Sequence, residues 1–463
     1  MNKKIYTVTD LGGGDGGKGG VVHKLCTTQN PHTVIKVGGT QGSHGVWTSR
    51  GENFNFSQFG CGTFEGIQTF ISKNFVSSPT GLIKEARSLQ YEHGVSNPFS
   101  LLTIDGKTLC TTPYHGNASR IKELARNKSP RSIIGTGAGE AYMDSQLHPD
   151  LAFKISDLLG SFEHKLKLIR AQKYAEIEAI AKDSFLAADI KLLEQEMGVF
   201  TDEGYFEWIV EQFKYVAKQL RIVDEDYLRK EILGRDGIAV LESSHGILTD
   251  YHKGLSPHTS RLRTLPQITS WGLLEECGYD GQVVRLGVTR AHQIKHGAGP
   301  FVVDDESMTE KLYGSSYDFV APSRYRGKVR IGPLDTVLLR YAIAASGGAR
   351  EYDGICVTWF DSMVKLGKWP VCYGYNNVDQ AYFSEQGDML VQDFAHEVDQ
   401  LAYQTALTQS LHTCTPNITE YHVPSHASQE DMIDMCKTAL NERLGIPIRM
   451  IGFGPTENQK ILI

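Results

Sequence analysis

One carboxylate and one ammonium stand alone in a run of glycine: Gly12-Gly13-Gly14-Asp15-Gly16-Gly17-Lys18-Gly19-Gly20. Seven glycines in nine residues serve no packing purpose, because each raises the entropy cost of ordering the chain. What they offer is backbone that approaches a ligand closely and turns successive N–H groups toward an anion. A β-prone run, Ile5-Tyr6-Thr7-Val8-Thr9, precedes the stretch, and an apolar segment from Val21-Val22 follows it. Strand, glycine loop and helix N-terminus in that order form a phosphate cradle. With Asp15 and Lys18 as its only long side chains, the cradle points to nucleotide chemistry. Gly12 to Lys18 satisfies G-x-x-x-x-G-K, but Gly19 stands where an ordinary P-loop needs Ser or Thr for Mg²⁺. A flexible glycine turn with solvated charges is the plain alternative.

Other candidate residues sit at similar places. A run Thr33-Val34-Ile35-Lys36-Val37 leads into Gly38-Gly39-Thr40-Gln41-Gly42-Ser43-His44-Gly45, a second glycine loop closed by one histidine. A histidine in that position is a candidate for proton or hydrogen-bond chemistry. Ile133-Ile134-Gly135-Thr136-Gly137-Ala138-Gly139 reads as a third strand-to-glycine turn and a second phosphate site. Strands are expected at 237–241, before Glu242-Ser243-Ser244-His245-Gly246, and at 282–288, ahead of His296-Gly297-Ala298-Gly299-Pro300-Phe301. Two late strands, 355–358 and 448–451, end in Trp359-Phe360-Asp361 and Gly452-Phe453-Gly454-Pro455. Arg324, Arg326, Lys328 and Arg330 place four cations in seven residues, a candidate carboxylate clamp ahead of a helix beginning near Leu334-Asp335.

These loops must be held by an α/β frame. Strands alternating with helices imply a large, mostly parallel central sheet with its ligand loops at the carboxyl ends of the strands. Ser78-Pro79-Thr80 opens a helix. From about 161 to 233 the pattern becomes helical, with Leu166, Ile169, Tyr174, Ile177 and Ile180 at helical spacing. This is expected to be a helical excursion from a single domain spanning 1–463. The net charge of −7 over 463 residues argues against a nucleic-acid surface. Eight scattered cysteines without a C-x-x-C pair fit reduced cytosolic thiols. No run is long enough to span a membrane, so a cytoplasmic protein is expected.

In this order the loops resemble the adenylosuccinate synthetase family. Its G-D-E-G-K-G-K is met by Gly14-Asp15-Gly16-Gly17-Lys18-Gly19-Gly20, and its G-G-H-N-A-G-H by Gly38-Gly39-Thr40-Gln41-Gly42-Ser43-His44. Its V-G-A-G-P-F is echoed by residues 296–301, its R-T-G-W-L-D-T-V by 330–337, and its closing G-V-P-I and S-T-G-P by 445–448 and 452–455. The resemblance implies a ligase and homodimer. GTP phosphorylates O6 of a 6-oxopurine nucleotide, IMP foremost, and the amine of L-aspartate then displaces phosphate at C6. It assigns Asp15 as general base and Mg²⁺ ligand, facing the imidazole of His44, which donates to the developing charge. Gly14, Gly16, Gly17, Gly19 and Lys18 would hold phosphates, with Gln41, Gly42 and Ser43 at the nucleotides and the Ser43 carbonyl on Mg²⁺. Thr136 and Gly137 would take the acceptor's 5′-phosphate. His245 stands where the family has glutamine. Arg326, Lys328 and Arg330 would hold the aspartate carboxylates, and Asp361, Gly454 and Pro455 the guanine. Lys154 is the nearest match to an arginine that crosses to the partner subunit.

The chain departs from the family where the bases bind. Trp359 replaces the lysine of K-x-D, Gly13 a tryptophan, and Gln41 an asparagine. Such changes around the purine suggest the phage-type branch, which uses dGMP to make a 2-amino-adenylosuccinate, with GTP or ATP as donor. A GTPase, or a nucleotide-binding module without ligase activity, would share the glycine loop but need no carboxylate clamp.

Overall fold

A computed structural model describes residues 3–127, 129–313 and 324–463. Its strands, in chain order, are β1 (Lys3–Asp10), β2 (Thr33–Gly39), β3 (His44–Trp47), β4 (Asn53–Phe56), β5 (Gln68–Ser77), β6 (Leu102–Asp105), β7 (Leu109–Cys110), β8 (Arg221–Val223) and β9 (Gly237–Gly246). They continue with β10 (Gln282–Arg290), β11 (His292–His296), β12 (Val329–Asp335), β13 (Gly354–Thr358), β14 (Lys368–Asn376), β15 (Thr415–His422), β16 (Ile448–Gly452) and β17 (Lys460–Leu462). The central sheet runs β17-β16-β13-β10-β1-β9-β2-β5-β6-β8, with β7 beside β5. Every pairing in it is parallel except β16 with β17. A smaller sheet orders as β11-β12-β14-β15, and β3-β4 is a hairpin.

The strands read as continuous apolar runs because both faces of the sheet are covered. Successive side chains point to opposite faces, and the packing follows that alternation. Val34, Val240 and Cys356 join one apolar cluster, whereas Ile35, Leu241 and Ile355 join clusters on the other side. A covered parallel sheet leaves only its strand ends for ligands. The glycine loop leaves β1 at its carboxyl end and enters helix α1 (Lys18–Gln29).

The helix expected after Ser78 spans Pro79–Tyr91, with the Ser78 hydroxyl capping Gly81 N at 3.1 Å. Helices Glu163–Glu178, Ile190–Gly198 and Glu203–Gln219 fill most of the segment read as a helical excursion. That segment is not helical throughout, since β8 returns to the sheet edge beside β6. Residues 133–137 do not form the expected strand. Ser132, Gly135 and Gly137 all have positive φ (66°, 82° and 81°), and three left-handed residues within six cannot sustain an extended run. The segment instead lies as a loop held by Arg120 Nη1 on Gly135 O at 2.8 Å and Thr111 Oγ1 on Thr136 O at 3.1 Å. Residues 329–335 form a strand, and the helix after them starts at Thr336, capped by Asp335. Among the described residues no helix is long and apolar enough to cross a membrane, and all eight cysteines are free.

Candidate active site

The loops gather around a cavity of about 660 Å³ at the carboxyl ends of the central strands. Its first wall is the glycine loop, and that loop is built around a residue the sequence reading missed. Asp10, fully buried at the end of β1, accepts from Gly12 N (2.7 Å), Gly14 N (3.3 Å), Gly16 N (2.6 Å) and Lys18 Nζ (3.0 Å). Lys18 also donates to Gly14 O at 2.7 Å. The Gly14 and Gly16 amides therefore bind Asp10 rather than facing a ligand, and Gly16 does not line the large cavity. The Lys18 ammonium is likewise committed to the loop from beneath. The first N–H groups of α1, at Lys18, Gly19 and Gly20, have no intrahelical acceptor, and Gly17 caps the helix without a side chain. These amides and the helix dipole remain for an anion.

Asp15 projects from this loop into the cavity, a third of its side chain exposed. The expectation that it faces His44 is not met. Asp15 Oδ2 instead lies 2.8 Å from His296 Nε2, and Arg326 Nη2 lies 2.8 Å from the same ring nitrogen, which can serve only one of them at a time. Arg290 Nε donates to the Asp15 carbonyl, and its guanidinium lies 4.2 Å from the centre of the Trp359 ring. Burial alone would raise the Asp15 carboxyl, but His296, Arg290 and Arg326 outweigh it and hold the group well below the usual carboxylate range. Asp15 is thus an ionised carboxylate, and Oδ1 makes no hydrogen bond among the described residues.

Two imidazoles complete the wall. His44, at the start of β3, gives Nδ1 to the Glu242 carboxylate, while Nε2 is buried with no partner among the described residues. Burial and Lys36 push it down to about 4. His245, the penultimate residue of β9, adopts a left-handed conformation, φ 65°, which costs a non-glycine residue about 1–3 kcal/mol. Neither of its ring nitrogens has a partner among the described residues, and burial, with Lys18 and His44 nearby, lowers it to about 3. Both rings are neutral near pH 7 and point unpaired nitrogens at the cavity. Strain plus unsatisfied polar atoms mark a place kept for a ligand.

Gln41, Gly42, Ser43, Gly14, Gly17, Gly19, Thr136, Gly137, Gly454 and Pro455 all line the cavity. The basic run does not act as one clamp. Arg324 pairs with Asp189 at 2.6 Å, Lys328 is exposed away from the cavity, and Arg330 ties down the carbonyls of Gly297 and Gly299 at 2.8 Å each. Of the three expected aspartate ligands only Arg326 lines the cavity, joined there by Arg131, Arg261 and Lys295. Burial, reinforced by Arg126 and Arg261, pushes Arg131 down to about 10; burial and Arg330 lower Lys295 to about 8. Neither Arg131 nor Lys295 has an ion pair among the described residues, and cations of this kind suit an anion. Asp361 does not line the cavity; it sits in the first turn of a short helix, its Oδ1 buried without a partner among the described residues and its carboxyl raised by burial.

The loops touch tightly enough to predict a consequence. A Cβ at Gly246 would lie 2.2 Å from Gly12 O and 2.6 Å from Gly14 N, so Gly246→Ala must push the glycine loop into the cavity. A displacement of this size is expected to lower kcat/KM about 10²-fold while circular dichroism stays that of the parent. Steady-state kinetics on the folded variant check it.

Amide-lined loops at parallel strand ends, an ionised carboxylate and two neutral imidazoles around one cavity define an α/β enzyme built for nucleotide substrates. The adenylosuccinate synthetase family model matches residues 8–461. The chain is 27% identical to the adenylosuccinate synthetase of a Marinomonas species, over 97% of this chain and 96% of that one. Identity to the Vibrio cholerae enzyme is 25%, at the same coverage. In fold it is similar to the fully ligated adenylosuccinate synthetase of Plasmodium falciparum (TM-score 0.73, 17% identity, 99% of each chain). It is also similar to the succinoaminodeoxyadenylate synthetase of cyanophage S-2L bound to dGMP and dATP (TM-score 0.56, 13% identity, 100% of this chain and 96% of that one). The chain belongs to the adenylosuccinate synthetase family and is a ligase that forms a carbon–nitrogen bond.

Proposed function

We propose that the protein joins L-aspartate to C6 of a 6-oxopurine nucleotide, IMP foremost, at the expense of GTP. The observation that carries this reading is the convergence of an ionised Asp15 and the unpaired nitrogens of His44 and His245 on one cavity. An amide-like C6 oxygen neither attacks nor leaves readily. Asp15 Oδ1 takes the N1 proton as O6 attacks the γ-phosphorus, so phosphoryl transfer and deprotonation proceed together. That coupling lets a weakly basic carboxylate serve as the acceptor. A neutral His44 whose Nδ1–H is committed to Glu242 can only accept at Nε2, and it donates to a phosphate oxygen once it has taken a proton from solvent. The negative charge of the phosphates favours that protonation. Aspartate's amine then attacks C6, and the 6-phosphoryl group departs as phosphate.

His245 is assigned to the acceptor base, Thr136 and Gly137 to its phosphate, and Arg326 with Arg131 and Lys295 to carboxylates and phosphate. Asp361, Gly454 and Pro455 are assigned to the donor base. Asp15 and the Ser43 carbonyl supply oxygen donors to the same cavity, which suits a hard cation; Mg²⁺ bound there would neutralise phosphate charge. A homodimer, with the exposed Lys154 reaching the partner's phosphate loop, completes the reading.

A second acceptor, dGMP, is favoured by one observation. A Cβ at Gly13 would meet nothing within 4 Å, so space beside Asp15 is open for a 2-amino group. Purified protein with Mg²⁺, L-aspartate and either GTP or ATP, offered IMP, dGMP and GMP in parallel, decides both nucleotides by the mass of the product. A succinylated inosine-derived product supports the first reading and a succinylated dGMP product the second. Nucleotide hydrolysis that ignores aspartate, with no succinylated product, overturns both.

A further inference from the structure

Beneath the cavity, behind the His44 that the proposed reaction uses, lies a buried charged pair, Glu242 and Lys36, that touches no substrate in it. Glu242 and Lys36 have no exposed side-chain surface, and His44 keeps 4%. Lys36 Nζ lies 2.6 Å from Glu242 Oε1, and His44 Nδ1 bonds the same oxygen. Cys61 N donates to Oε2 at 3.0 Å, with Cys61 Sγ 3.2 Å from Oε1. Oε1 therefore takes three donors and Oε2 one, from β2, β3 and the turn at Cys61.

From this geometry, and resting on the ligase reading above, we infer that Glu242 is a positioning residue: it fixes the tautomer and aim of His44, and Lys36 holds Glu242 ionised. Because Oε1 can only accept from Nδ1–H, the neutral ring must carry its proton there and present the lone pair of Nε2 to the cavity. The ring cannot flip without breaking a buried charge-assisted hydrogen bond. Without Lys36, an isolated buried carboxylate would itself protonate and lose its grip on the ring.

The three ligating atoms of His44, Cys61 and Glu242 also lie within 4.8 Å of one another, a spacing a metal ion could use. The Lys36 ammonium already supplies the positive charge at Oε1, and burial, chiefly, keeps the Cys61 thiol well above its usual range. A cation has neither a free carboxylate nor a thiolate to bind.

The test combines nitrogen-15 NMR of labelled histidine, with the His44 signal assigned from a His44→Gln spectrum, and steady-state kinetics. Wild-type His44 is expected to carry its proton on Nδ1 only. In Glu242→Gln, whose amide can accept or donate, both tautomers are expected, with kcat lowered at least ~10²-fold and KM within about threefold. Glu242→Gln leaves Lys36 unpaired, so the double variant Lys36→Met/Glu242→Gln, free of the stranded charge, should show the same tautomer mixture and the same loss. A proton on Nε2 in the wild type, or unchanged kcat in either variant, overturns the assignment. The tautomer is read without substrate, so absence of any succinylated product in the wild type refutes the ligase reading while leaving the positioning to be judged by NMR.

Discussion

Asp15→Asn is expected to lower kcat about 10³-fold or more, within the range that removal of a general base gives, while nucleotide Kd changes less than about threefold. The two effects separate because Asp15 does not build the loop. The amides and ammonium that shape it are tied to Asp10, and asparagine matches the volume of the residue it replaces. Only the ability to take a proton, and the charge that a divalent cation needs, disappear. The surrounding cations sharpen the expectation. His296, Arg290 and Arg326 keep Asp15 ionised across the ordinary range, so the wild-type rate should show no loss from protonation of this group between pH 5 and 8. Titration calorimetry with GTP and IMP, beside rapid-quench detection of the 6-phosphoryl species, measures binding and chemistry apart. A variant that retains a tenth of wild-type turnover would exclude Asp15 from the proton step.

The glycine runs reveal the frame of this protein because their conformational cost is hard to explain unless backbone meets ligand. The first two mark the ends of β1 and β2, and the apolar runs before them read plainly as strands. The 133–139 segment misleads for a physical reason. Two isoleucines before glycine look like a strand ending in a turn, yet the segment is a left-handed loop pinned to a neighbouring helix, and hydrophobicity alone carries no record of φ. The basic run misleads similarly. Four cations close in sequence diverge in space: Lys328 precedes β12 and is exposed, while Arg324, Arg326 and Arg330 meet Asp189, His296 and the Gly297 and Gly299 carbonyls, all distant in the chain.

Asp10, Lys36 and Glu242 are the instructive omissions. Each is a charge inside or at the end of an apolar strand that becomes fully buried, and such charges persist only when paired. Lys36 in Val34-Ile35-Lys36-Val37 announces a buried acid somewhere; nothing local says that the acid is Glu242, 206 residues away. Asp10 was legible in another way, as an acid two residues before the glycine run, with N–H groups close enough to satisfy it. His296 shows the limit. Its place in a glycine-rich loop was visible, but its pairing with Asp15 depends on how two crossovers bring loops together, which spacing along one chain cannot encode.

Asp10→Asn should be the more damaging substitution for the folded state, although it lies farther from the cavity than Asp15. Asp10 satisfies three backbone amides and the Lys18 ammonium with two oxygens. An asparagine can place its oxygen on one side only; its NH₂ then faces Gly16 N and Lys18 Nζ, donors meeting donors, with the ammonium left buried and uncompensated. Breaking one partner of a buried ion pair costs about 3–5 kcal/mol, a large share of the stability of an ordinary domain. The urea midpoint should fall accordingly, and GTP affinity should fall with it, because the loop that presents the α1 amides loses its anchor. Removing the stranded charge as well, in Asp10→Asn/Lys18→Met, should recover part of the stability but not the nucleotide affinity. The double-mutant cycle measures that coupling. If Asp10→Asn unfolds at the wild-type midpoint, the loop is not held from beneath by this carboxylate. The amides would then take their shape from the ligand, and the cradle would be assembled on binding rather than beforehand.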